Sequence, residues 1–133
     1  MLEQKIKEKA KKLGYLACGI IPTNIFDEYT KSLDSRVKTF PDSEDLYKYF
    51  YNFSKQPDNA KSIIVCTQRF NNYKPIDSLQ GVVAKCYQFD CRLTYTNEHR
   101  VEKEFESFLG TLGINVMEGI TVPDRWAAAK AGL

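Results

Sequence analysis

QPDNAKSIIVCTQRF, residues 56–70, is the stretch whose reading decides the fold. Pro57 to Ala60 is a cluster of turn formers, and Ser62 to Cys66 is a continuous run dominated by apolar, β-branched residues. A strand with one wet face alternates apolar and polar residues. A run without that alternation is buried on both faces, as in a sheet covered by helices. The rest of the chain must therefore supply helices for two sides of a sheet.

Toward the N-terminus, residues 2–13 place Leu2, Ile6, Ala10 and Leu13 at helical spacing, and Gly14 is a stop signal. YLACGII (15–21) is a second short apolar run, closed by Pro22, and reads as another buried strand. NIFDEYTKSL (24–33) is a helix with Asn24 as its cap; the pattern weakens over 34–42 and Pro41 breaks it. A third helix starts at Asp42 or Ser43, with Glu44 and Asp45 in the first turn, where they favour the helix dipole. Leu46, Phe50 and Phe53, with Tyr47 and Tyr51 beside them, read as an aromatic core stripe.

Toward the C-terminus, residues 71–81 read as loop, and 82–95 as a strand followed by a turn, or a helix; periodicity leaves both open. Residues 97–113 form the clearest helix, with Asn97 as cap, Val101, Phe105, Phe108 and Leu112 as buried stripe and Gly113 as end. INVM (114–117) reads as a short strand. Thr121 and Asp124 resemble a capping box, with Pro123 in the first turn of a last helix whose Trp126 belongs to the core. Helices and apolar strands alternate without repeat or linker, so residues 1–133 are expected to form a single α/β layered domain. The order of the strands is not readable from this pattern.

A net charge of +2 is too small to argue for nucleic acid or a membrane surface as partner. Lys5, Lys7, Lys9, Lys11 and Lys12 read as a solvated helix face, since the apolar residues fall on another. The sequence shows neither a spanning apolar stretch nor a signal-peptide core, and the expected location is cytoplasmic. Of the four cysteines, Cys18 and Cys66 lie in apolar runs and read as buried free thiols. Cys86 and Cys91 suit neither a metal site nor a tight disulfide, and all four are expected reduced, with no metal site. The single histidine, His99, reads as a surface residue on an amphipathic helix, and Asp90 with Arg92 as a local ion pair. Gly110 and Gly113 end a helix and make no phosphate loop.

Three stretches together resemble a known family. QPDNAKSIIV resembles the P-x-A-K-S-I-I-V entry strand in the N-terminal region of epoxyqueuosine reductases and related corrinoid iron–sulfur proteins. VPDRWAAAKAGL resembles their segment in which an acidic-Arg pair precedes A-A-x-x-A-G-L-G, and GYLACGII resembles their G-F-x-x-x-G-I-A opening. The three occur in family order; residues 22–55 match poorly. The resemblance implies a nitroreductase-like mixed sheet flanked by helices, carrying a base-off cobalamin. It also implies two 4Fe–4S clusters in a following segment that feed electrons to cobalt, and, for epoxyqueuosine reductase itself, a modified tRNA nucleoside as substrate.

Under that resemblance, Glu118 stands where the family carries a proton-donating aspartate. It is followed by Gly119, Ile120 and Thr121 rather than Ser/Thr-Gly-Pro, which points to an uncharacterised paralogue. Burial would raise its pKa toward general-acid use. Asp124 and Arg125 would orient the loop that receives the corrinoid, Lys130 would meet a corrinoid amide or phosphate, and Gly132 would let backbone approach the ring. The chain stops at Leu133, before the family's cysteine-rich motifs. It is therefore expected to be the N-terminal portion of a longer protein, inactive alone and prone to self-association. Two alternatives stay open, a non-catalytic interaction module of the same fold and a flavin-binding domain.

Overall fold

The computed structural model describes residues 1–69, 76–82, 91–117 and 120–133, and of residues 91–95, 97 and 98 the backbone alone. Among them lie five α-helices and two strands: α1 (Leu2–Lys12), β1 (Ala17–Pro22), α2 (Ile25–Thr39), α3 (Glu44–Phe50), β2 (Ser62–Thr67), α4 (Cys91–Thr111) and α5 (Asp124–Lys130). Short 3₁₀ turns cover Pro41–Ser43, Tyr51–Phe53 and Asp77–Leu79. The fold is mixed α/β and mostly helical, with a small antiparallel sheet of β1 and β2. Among the described residues no helix is long and apolar enough to cross a membrane.

The two apolar runs pair with each other in the register Ala17↔Thr67 to Pro22↔Ser62. Because side chains alternate across a strand, this register sorts the run into two faces. Cys18, Ile20, Ile64 and Cys66 pack on Ile6 and Ala10 of α1 and Phe105 and Leu109 of α4. Ile21 of β1, with Ile63 and Val65 of β2, packs on Ile25 and Phe26 of α2 and Ala127 of α5. The sheet thus has helices on both sides, as the unalternated SIIVC run requires.

Each helix is amphipathic for a readable reason. α1 buries Ile6 and Ala10 and ends where Gly14 takes a positive φ of 96°. Two lysines of the run are paired: Lys7 with Glu3 one turn before it at 2.7 Å, and Lys9 with another helix. Lys9 bonds Glu104 of α4 at 2.9 Å and lies 5.6 Å from the Phe108 ring centroid. α4 buries Val101, Phe105 and Leu109, while Phe108 and Leu112 are half-buried, and Gly113 follows it with φ 74°. His99 is exposed, as its position predicts.

Several local expectations are corrected. α2 runs to Thr39, through the stretch where its apolar pattern weakens, and ends just before Pro41, the expected break. Asn24 makes no cap bond; its amide donates to Glu28 instead. α4 begins at Cys91, so the ambiguous stretch is helical over 91–95; residues 83–90, with Cys86 and Asp90, lie outside the described residues, as do the side chains of Cys91, Arg92 and Asn97. Residues 114–117 form no strand: Val116 and Met117 are exposed, and among the described residues no strand pairs with the segment. The Thr121–Asp124 capping box does not form, since Pro123 sits at the N-cap without a side-chain bond. The α3 stripe is not core either. Leu46 is exposed and Tyr47, Phe50, Tyr51 and Phe53 are half-buried; Phe50 and Phe53 stack on the exposed Tyr49, and none of them joins either core cluster.

Candidate functional site

The three stretches that carry the family resemblance become β1, β2 and α5, and they meet. Ala127 of α5 is fully buried against the sheet and α2, where small side chains let the helix come close. At the helix end Ala131 sits over Gly19 of β1; a Cβ on Gly19 would lie 2.5 Å from the Ala131 Cβ. Gly19 thus seats the end of α5 on the sheet, as Ala127 seats its middle. Trp126 packs edge-on against Tyr29 of α2, with ring centroids 5.7 Å apart. Its Nε1 is buried and unpartnered among the described residues, so Trp126 is half core and half unsatisfied donor.

The residues singled out on α5 do not converge. Asp124 and Arg125 are exposed at its start and make no ion pair or side-chain hydrogen bond among the described residues. Lys130, at the other end and about 9 Å further along the helix rise, is held by the Glu28 carboxylate of α2. Gly132 has φ 76°, and its N–H and that of Leu133 bond to the carbonyls of Ala129 and Ala128. That is a C-terminal cap, and a Cβ there would meet nothing within 4 Å. Glu118 and Gly119 lie outside the described residues.

What the sequence did not disclose is a groove of about 950 Å³ on the far side of β2. Ile63 and Ile64, which point to opposite faces of the sheet, both line it, so it runs along the β2 edge that β1 leaves unpaired. Phe105 and Leu109 of α4, with Ile114 packed against their cluster, line it together with Ile120 and Val122. Glu102 and Glu106 add carboxylates. The volume is within the range of small-molecule sites, and the lining is mixed, with Asp58, Lys61, Gln68 and Asn115 beside the apolar residues. No local pattern could have announced it, because its walls come from segments that are distant in sequence.

Cys66 also lines this groove, and Cys18 stands opposite it in the ladder. Burial holds both thiols above the ordinary cysteine range, with Lys7 partly offsetting this at Cys18. Among the described residues no group of three or more His, Cys, Asp or Glu is placed to hold a metal ion. No family model, curated protein or solved structure matches this chain.

A corrinoid is the cofactor that the resemblance implies, and the fit can be judged on these walls. The groove offers apolar surface for the face of a large flat ring, with Asn115 and Gln68 among its polar lining. These groups are of the kind such a ligand needs, while the four residues singled out on α5 point to different tasks.

Proposed function

We propose that residues 1–133 are the N-terminal scaffold and corrinoid-pocket domain of a cobalamin- and 4Fe–4S-dependent reductase. It would be an uncharacterised paralogue resembling the epoxyqueuosine reductases, built on a nitroreductase-like core. One observation carries the reading: the three resembling stretches, far apart in sequence, pack together as β1, β2 and α5 around Gly19. A family's motifs should converge if they serve one fold and one site.

In this reading the corrinoid supplies a cobalt centre that takes up electrons, and the clusters that deliver them are not asked of residues 1–133. The chain's own work is to bind and to exclude water. Ile64, Phe105, Ile114 and Val122, which line the groove, would supply apolar surface to the ring. Asp124 and Arg125, exposed at the start of α5 just beyond Val122, are the members of the α5 set open to a cofactor's rim. Glu118 is the proposed proton donor, a role carried by the resemblance alone. Modified tRNA is the substrate class carried by the resemblance alone.

Titration of the purified chain with hydroxocobalamin, followed by absorbance, tests the reading. A saturable spectral change that weakens in Phe105→Asp supports it, provided circular dichroism shows that variant folded. No change with the chain, together with no corrinoid or iron in any longer product of the gene, overturns it. A protein that purifies yellow, with a flavin spectrum, would replace the corrinoid by flavin.

A further inference from the structure

We propose that Cys18 and Cys66 form an oxidation site, a cross-strand dithiol that closes to a disulfide on reaction with a peroxide. The inference is independent of the corrinoid reading. β1 and β2 are antiparallel, and Cys18 is directly opposite Cys66. Residues so placed have Cα atoms about 4.5 or 5.5 Å apart and side chains on the same face. Disulfides span Cα separations of about 4.4–6.8 Å. The Cα separation of either hydrogen-bonding phase of the ladder falls within that range. Both thiols are free, both are half-buried, and they interact with each other side chain to side chain. The groove that Cys66 lines gives a small oxidant a route to sulfur.

The chemistry balances in two steps. One thiolate attacks an oxygen of hydrogen peroxide, the O–O bond breaks, hydroxide leaves and the sulfur becomes a sulfenic acid. The second thiolate attacks that sulfur, the S–O bond breaks and a second hydroxide leaves. Two electrons pass from sulfur to peroxide, and the two thiol protons convert the hydroxides to water. Around the pair, α1 brings Glu3 and Lys7 toward Cys18. Tyr15, Glu102 and Glu106, with Asp58 and Lys61 before β2, share the groove with Cys66. Burial makes the thiolate scarce at neutral pH, so closure is slow there and quickens about tenfold per pH unit toward pH 9.

The test treats the purified chain with hydrogen peroxide, alkylates the remaining thiols and digests it with trypsin. The expected product is peptide 13–31 joined to peptide 62–69, two hydrogens lighter than their sum and separated by reductant. It should be absent from Cys18→Ala and Cys66→Ala and persist in the Cys86→Ser/Cys91→Ser double variant. In that double variant, oxidation should raise the thermal midpoint, and dithiothreitol should reverse the rise. Cys18 and Cys66 that stay fully alkylatable after peroxide, that stop at sulfinic acid, or that link mainly to Cys86 or Cys91 overturn the proposal.

Discussion

Gly19 and Gly132 are glycines for different physical reasons, and substitutions separate them. At Gly19 the backbone is ordinary, and the added methyl would collide with Ala131. Gly19→Ala should overpack the β1–α5 contact and cost about 1–3 kcal/mol, read as a lowered urea midpoint. At Gly132 there is room, but φ is 76°. Gly132→Ala should cost about 1 kcal/mol through backbone strain and leave hydroxocobalamin binding unchanged. A loss of binding without a loss of stability would return Gly132 to the cofactor. Both glycines stand out in the sequence, but which reason applies depends on the φ and the neighbour that folding supplies.

Among the elements, α1 and α4 are joined by Lys9, which serves Glu104 and the Phe108 ring together. Lys9→Ala should cost about 0.5–1 kcal/mol, part of it disappearing in high salt, since the ion pair is half in water. α2 is anchored by Phe26, 1% exposed beneath the sheet, and Phe26→Ala should cost about 3–5 kcal/mol by opening a cavity. Differential denaturation curves check both. The helices were legible because their apolar residues repeat at helical spacing. Their ends were less so: α2 continues through the weak pattern as far as Thr39. The α3 stripe misled because aromatic spacing announces a shared face, not what covers it. The stretch 114–117 misled because a short apolar run becomes a strand only if a neighbour offers a ladder.

For the molecule as a whole, the titrating groups set an alkaline limit. Burial raises Cys18, Cys66 and Tyr29, and a hydrogen bond to Asp34 pushes Tyr51 up to about 12. The unfolded chain releases these protons first, so above about pH 9 it binds fewer protons than the native state and stability falls as pH rises. The urea midpoint should hold between pH 7 and 8.5 and decline from pH 9 to 11; a flat profile would contradict the buried placement of the thiols. The groove was illegible in the sequence, since its walls come from β2, α4 and residues 113–122. By itself the sequence determined that β2 would be covered on two sides, since an apolar run without alternation has no face to give to water. It determined most of the helices as well, through spacing and stop signals that act within a few residues. Tertiary structure alone decided that Cys18 would face Cys66, that α5 would close on Gly19, and that one edge of β2 would border a groove. Those depend on register and on contacts between residues far apart in the chain, which no local pattern encodes.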